Sequence, residues 1–218
     1  MQTDSHEHDD HDHRRNPAQG DRHTHHFDSS QAQYLYSDER LTKIRAPEIV
    51  SRLRPKPEQK VLDVGTGSGA FLPMLSAAVG NEGDVYGVDC SSDWLNHARK
   101  YVVETELNNV SLLRNSDREL PLRRALADRV LMVCLLHELT HPSDMLSEIA
   151  RVTRPGGCLV VVDWKYQETE DGPPIEHRVD PETATQWLTK VGFDSIDLDG
   201  WTDNTYMLTA KRGGTNNE

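Results

Sequence analysis

From residue 58 onward, short unbroken apolar runs alternate with segments whose apolar positions recur every three or four residues. The runs fall at 60–64, 84–89, 110–114, 128–135 and 157–163, each of strand length and apolar enough to be covered on both faces. Between them the spacing predicts helices at about 69–79, 92–105 and 142–153. The last of these shows the pattern well. Pro142 suits a first helical position, and Met145, Leu146, Ile149 and Val152 then fall on one face. Pro155-Gly156-Gly157 is expected to end that helix and turn the chain into Cys158–Val162, a central strand. Alternating strands and helices predict an α/β fold with a parallel sheet and right-handed crossovers. Residues 164–179 form a polar loop holding Gly172-Pro173-Pro174. Asp180-Pro181-Glu182 then caps a helix that runs to Val191, before Gly192. Strands at 193–200 and 204–211 follow so closely that they are expected to pair antiparallel at the sheet edge.

The first 57 residues behave differently. Residues 1–24 carry His6, His8, His11, His13 and His23 among Asp, Glu, Arg and Gln with no apolar period, the composition of a disordered tail. Aromatics begin with Phe27, Tyr34 and Tyr36. Ser37 caps a short helix carrying Leu41 and Ile44, and Pro47 opens a second helix reaching about Arg54. The expected organisation is therefore a tail (1–24), a helical cap segment (25–57), one α/β domain (58–212) and a disordered end (213–218). A chain of 218 residues suffices for one sizeable core but is short for two full domains. The longest apolar run, Val130–Leu136, is far below the ~18–20 residues of a membrane span. The acidic, His-rich N-terminus lacks the apolar stretch of a secretory signal. Cys90, Cys134 and Cys158 are widely spaced and are expected to be reduced and buried, as in a cytoplasmic protein. A formal charge of −12, with seven lysines among 24 cationic residues, disfavours a phosphate backbone as partner.

The chemistry concentrates in Val61-Leu62-Asp63-Val64-Gly65-Thr66-Gly67-Ser68-Gly69-Ala70-Phe71, followed by Val85-Tyr86-Gly87-Val88-Asp89. A strand runs into three alternate glycines that let the backbone turn sharply and approach a ligand, and a second strand ends in a carboxylate able to accept from ribose hydroxyls. This is a pocket for an adenosine cofactor. Gly65-x-Gly67-x-x-Ala70 also satisfies the dinucleotide fingerprint, so the glycines alone do not select the cofactor. Asp63 does. A carboxylate there meets a cationic amine, directly or through water, and repels a pyrophosphate.

With these residues in view, the chain resembles a class I S-adenosylmethionine-dependent methyltransferase of the small-molecule, quinone-biosynthesis-like kind, over roughly residues 25–211. The resemblance is carried by Leu62-Asp63-Val64-Gly65-x-Gly67-x-Gly69, Gly87-Val88-Asp89, Asp117-x-x-Leu120-Pro121-Leu122, Leu136-His137-Glu138 and Arg151-Val152-x-Arg154-Pro155-Gly156-Gly157. It implies a Rossmann-like, doubly wound, seven-stranded sheet, mostly parallel, with the last strand antiparallel and helices on both faces. It also implies that Gly65, Thr66, Gly67 and Gly69 hold the methionine part and Asp89 the ribose, with Cys90 beside it. Asp117 would hold the adenine amino group, and the stretch from Cys134 to His137 would flank the sulfonium. Asp117 also fits an ordinary turn residue.

On the acceptor side, His137 follows the fourth strand at the sheet edge where ligands bind, a candidate base or orienting group beside Glu138. A histidine bonded only to backbone would have the same sequence. Trp164 is expected to wall the acceptor pocket and Lys165 to attract an anionic acceptor, or to snorkel at the surface. Gly172-Pro173-Pro174 and Tyr34 are expected at the same site, and His25-His26-Phe27 as a lid. The expected partner is a small or medium organic methyl acceptor; neither the acceptor atom nor the oligomeric state is encoded in a motif. The tail spacing His6-x-His8-x-x-His11-x-His13 allows weak metal binding, but nothing nearby fixes the rings, so no defined metal site is expected. Arsenite methylation is disfavoured, since Cys158 begins a strand and Cys90 abuts the ribose site. The alternative to an enzyme is a methyltransferase-like binding module with a metal-responsive His-rich arm. A nicotinamide oxidoreductase ranks third.

Overall fold

A computed structural model describes Tyr34 and residues 37–214. The tail at 1–24, the lid at His25-His26-Phe27 and residues 215–218 lie outside the described residues. The elements follow as α1 (Asp38–Lys43), α2 (Ala46–Leu53), β1 (Lys60–Val64), α3 (Leu72–Val79), β2 (Asp84–Asp89), α4 (Ser92–Glu104), β3 (Val110–Arg114) and β4 (Ala127–Val133). After them come α5 (Pro142–Val152), β5 (Thr153–Trp164), α6 (Pro181–Lys190), β6 (Phe193–Asp199) and β7 (Thr205–Arg212). The seven strands form one sheet in the order β3-β2-β1-β4-β5-β7-β6. β1 to β5 run parallel, and β7 is antiparallel to both β5 and β6. The α/β fold and the closely spaced antiparallel pair are as the sequence predicts.

The central strands are apolar on consecutive residues because both faces are covered. Leu62, Val130, Met132, Leu159 and Val161 face one core, shared with Met145, Leu146 and Ile149 of α5 and Ala184 and Leu188 of α6. Val61, Leu131, Val160 and Val162 face the other, shared with Ile49 and Leu53 of α2 and Leu72, Leu75 and Val79 of α3. Each fully buried Val, Leu, Ile or Met among them contributes about 1.5–3 kcal/mol relative to exposure. The N-terminal helices are tied on by Trp201, whose indole Nε1 donates to the Ile44 carbonyl (2.9 Å) while the Arg45 guanidinium lies 4.3 Å above its ring. No helix among the described residues is long and apolar enough to cross a membrane.

Three boundaries differ from expectation by two residues or more, each for a local reason. β4 ends at Val133 rather than 135, because Cys134 turns out of the strand at φ 52° and leads into a short 3-10 turn, Leu136–Glu138. β5 begins at Thr153, so Pro155-Gly156-Gly157 makes an irregularity within the strand rather than its start. A Cβ at Gly157 would lie 2.8 Å from the Arg154 carbonyl oxygen, so the detour needs glycine. The third helix starts at Leu72 rather than 69, since Gly69 still belongs to the turn.

Chain order reverses at β1. The chain moves from β1 through β2 to β3 on one side, then crosses to β4 on the other. At such a switch point the loops leaving adjacent strands diverge, and a crevice opens beyond the strand ends. The candidate site lies there.

Candidate active site

The crevice is a cavity of about 1060 Å³, walled by the β1–α3 turn, the ends of β2 and β4, the segment after β3, α1 and the loop after β5. That volume sits at the upper end of the usual ~300–1,000 Å³ for small-molecule sites, room for a cofactor and a second ligand.

One half is built by the glycine turn. Gly65, Gly67 and Gly69 adopt φ of 70°, 54° and 86°, a region that L side chains rarely enter. A Cβ on Gly65 would stand 2.7 Å from the Leu135 side chain. The Gly65 and Thr66 amides both donate to the Val88 carbonyl at 2.9 Å, which locks the turn to β2. Asp63, buried at the end of β1, accepts from Thr66 Oγ1 at 2.8 Å. Burial pushes its carboxyl up to about 7; Asp89 adds to the rise and the Thr66 hydroxyl opposes it. At the end of β2, Asp89 Oδ2 accepts from the Gly67 amide (2.9 Å) and Oδ1 from the Ser91 amide (2.8 Å). A carboxylate oxygen has two lone pairs and can accept more than one hydrogen bond.

Beyond β3 the structure adds a residue that the motifs did not single out. Asn115 lines the cavity, and its buried Oδ1 has no hydrogen-bond partner among the described residues. The buried Ser68 Oγ, also in the lining, is in the same position. Buried polar atoms without partners are uncommon, and a ligand with amine and hydroxyl groups would suit both. Asp117 lines the cavity too, but its side chain is half exposed and lies 3.4 Å from His141 Nε2.

The other half holds His137. Its Nδ1 is 2.7 Å from Asp163 Oδ1, and its backbone amide donates to Asp163 Oδ2 at 3.3 Å. Asp163 is fully buried at the end of β5 and also accepts from the Trp164 amide (2.7 Å). The ring therefore bonds a carboxylate rather than a backbone carbonyl. With Nδ1 so engaged, Nε2 is the nitrogen left to a ligand; it stands 3.7 Å from Glu138 Oε1. Burial depresses the His137 pKa, but the Asp163 charge and hydrogen bond, helped by Glu138, outweigh it and the net shift is upward. Burial lifts the Glu138 carboxyl to about 7, against the pull of His137. Cys134, also in the wall, has its thiol pushed by burial up to about 12, so it stays a neutral thiol.

Trp164 and Tyr34 both line the cavity. Lys165 does not: its ammonium donates to the Thr202 (2.6 Å) and Asp203 (3.1 Å) carbonyls of the β6–β7 turn, a structural task in place of the expected one. Cys90 corrects the expectation of buried cysteines. It follows β2 at the cavity mouth and is exposed, Cys134 and Cys158 are half-buried, and all three are free. Phe27 lies outside the described residues. Among the described residues no group of three or more His, Cys, Asp or Glu is placed to hold a metal ion.

Comparison with known proteins agrees with this geometry. The family profile described as a methyltransferase domain matches residues 61–157, from β1 into β5. The crystal structure of a SAM-dependent methyltransferase from Aquifex aeolicus superposes with a TM-score of 0.80 at 30% identity, over 86% of this chain and 100% of that one. Demethylmenaquinone methyltransferase of Listeria monocytogenes is 33% identical over 116 residues, 53% of this chain and 49% of its own. The Bacillus mycoides protein of the same name is 33% identical over 108 residues, 50% and 46% of the two chains. The chain spans about half the length of these curated relatives. The glycine cradle with Asp63 and Asp89, the sheet order and the structural match over the whole of the Aquifex aeolicus chain agree, and the chain belongs to the class I S-adenosylmethionine-dependent methyltransferases, with S-adenosylmethionine as its cofactor.

Proposed function

We propose that this protein methylates a planar, largely apolar organic acceptor bearing an acidic hydroxyl, with His137 as the base. The observation that carries the reading is the Asp163–His137 pair, set at the wall of a cavity large enough for two ligands. When bound, S-adenosylmethionine supplies an electrophilic methyl group on a sulfonium that leaves without protonation.

Asp63 would face the ammonium of the amino-acid part, with the Gly65, Thr66, Gly67 and Gly69 backbone leaving room for it. Asp89 would accept from the ribose hydroxyls beside Cys90. Asn115 Oδ1 would accept from the adenine amine, with Asp117 at the outer rim. Cys134 and His137 would flank the sulfonium. Ile44, Leu139, Trp164, Pro173 and Pro174 give the lining an apolar, partly aromatic surface, beside the polar Arg40, Lys43, Asp171 and His177, and that apolar surface suits a ring-bearing acceptor. The names of the two curated relatives put a quinol-type ring first among acceptors to test.

Nε2 of His137 takes the hydroxyl proton. The new bond then forms from the acceptor oxygen to the methyl carbon, and the S–C pair stays on sulfur; where a ring carbon made nucleophilic by the oxyanion attacks instead, its C–H bond then breaks, the proton leaves to solvent and the pair restores the aromatic ring. Alignment in such a displacement supplies about 7–11 kcal/mol of the barrier and the base a further ~10²–10⁴-fold. Three unbridged cysteines fit a reducing compartment, and we place the protein in the cytoplasm.

The test is transfer of labelled methyl from S-adenosylmethionine to 1,4-dihydroxynaphthalene, with calorimetry of S-adenosylhomocysteine and NAD alongside. Methylated naphthol and binding of the first ligand alone are expected. An unmodified diol would refute the acceptor class. A related expectation concerns Asp89→Ala. Hydrogen bonds to a charged acceptor are worth ~1.5–3 kcal/mol each, so S-adenosylhomocysteine affinity should fall at least about tenfold while the far-ultraviolet dichroism keeps its α/β shape. Parent-like affinity would remove Asp89 from the ribose site.

A further inference from the structure

Arg178 is buried, yet no carboxylate pairs with it among the described residues. Its five N–H groups are instead spent on one stretch of chain just upstream. Nε donates to the Pro173 carbonyl (2.9 Å), Nη1 to those of Lys165 (3.1 Å) and Gln167 (2.7 Å), and Nη2 to Thr169 Oγ1 (2.6 Å) and the Asp171 carbonyl (3.1 Å). That uses every donor a guanidinium has. The group also lies 5.3 Å from the centre of the Trp164 ring. The stretch it gathers has no helix or strand ladder of its own before the short turn at Ile175–His177. A loop of this length without ladder bonds samples many conformations unless something fixes it.

The fixed loop is the outer wall of the acceptor half. Trp164, Asp171, Gly172, Pro173 and Pro174 line the cavity, whereas Arg178 does not. Gly172 sits at φ 94° directly on the indole, and a Cβ there would come within 2.7–2.8 Å of Trp164 ring atoms. Asp171 pairs with Lys43 of α1, which joins the loop to the cavity's other lip.

We infer that Arg178 is a positioning residue for the acceptor: by binding five acceptors between 165 and 173 it holds Trp164 and Gly172-Pro173-Pro174 in the one arrangement that forms the acceptor wall. The inference rests on the reading that this half of the cavity takes the acceptor. Lysine keeps the charge but has three donors on one nitrogen and cannot span the five acceptors.

The experiment compares parent, Arg178→Lys and Gly172→Ala. It uses S-adenosylhomocysteine calorimetry, amide hydrogen exchange, and initial rates with 1,4-dihydroxynaphthalene as probe acceptor. Losing one or two charge-assisted bonds should raise the acceptor KM at least about tenfold in Arg178→Lys and leave kcat within about threefold. Amides of 165–177 should exchange at least about tenfold faster while the sheet exchanges as in the parent. Gly172→Ala should show the same KM effect by displacing the indole. Cofactor-product affinity should not move in either. An unchanged KM, or a loss of S-adenosylhomocysteine affinity in step with it, overturns the inference. If the parent does not methylate the diol, the acceptor class fails instead, and exchange decides Arg178: acceleration confined to 165–177 with intact S-adenosylhomocysteine binding supports it, and acceleration across the sheet overturns it.

Discussion

His137→Ala is expected to slow methyl transfer by ~10²–10⁴-fold at saturating acceptor and to leave S-adenosylhomocysteine affinity nearly unchanged. The ring lies in the acceptor half, bonded to Asp163, and no part of the glycine cradle depends on it. A carboxylate on Nδ1 fixes the ring's orientation and holds the proton on that nitrogen, which leaves Nε2 bare to accept one. Asp163 also raises the His137 pKa against the effect of burial. The base form is the active one, so the rate of the parent should fall as pH drops through a value above that of an ordinary histidine. Asp163→Asn removes the charge that raises the pKa and lets the ring turn or change tautomer. The acid limb should then move to lower pH while the plateau falls. Asp163 also accepts the His137 and Trp164 amides, so this second variant loses stability too, and the shift of the limb is what separates chemistry from folding. Superimposable pH–rate profiles for parent and His137→Ala would take the histidine out of the mechanism and leave alignment as the whole of catalysis.

What the sequence revealed and what it hid divide along the distance between partners in the chain. The glycine turn and Asp63 lie within one short stretch, and Asp89 follows at the end of the next strand, so their chemistry is legible as a motif. The strands were legible because parallel strands covered on both faces leave unbroken apolar runs. The same signal misled at β4, where Leu135 and Leu136 continue the run after the backbone has turned at Cys134. Leu135 is apolar because it fills the space above Gly65, not because it lies in a strand. The His137–Asp163 bond joins residues 26 apart that meet only because β4 and β5 are neighbours. Asn115 and Arg178 left less trace still. The first shows only one orphaned oxygen, and the second, apart from the Thr169 hydroxyl, bonds four backbone carbonyls that any residue would supply. Lys165 shows the converse, a charge beside the site whose task is to hold a turn.

Affinity for S-adenosylhomocysteine should rise about 100-fold between pH 5 and pH 8, with most of the gain complete near pH 7. Burial lifts the Asp63 carboxyl to about 7 in the unliganded protein, with Asp89 nearby adding to the rise. The ligand's ammonium favours the ionised form, so binding below pH 7 must first displace a proton. With a pKa of about 7, only about one molecule in a hundred is ionised at pH 5, which sets the size of the effect. The same group fixes a sign for stability. Its folded-state pKa is raised, so its contribution favours the unliganded fold at low pH and is lost as pH rises through about 7. Ligand should therefore raise the melting temperature more at pH 8 than at pH 5. Glu138, also lifted to about 7, lines the same cavity and is the competing source of any such titration. Asp63→Asn separates them: its affinity should be low at pH 8 and flat across the range, since the amide neither ionises nor meets the ammonium with a charge. Calorimetry in two buffers of different ionisation enthalpy reads the proton directly, and the parent should release close to one at pH 6. A flat parent profile with no proton released would mean that the ammonium does not lie beside Asp63, and the carboxyl that sets this chain apart from a dinucleotide binder would need another role.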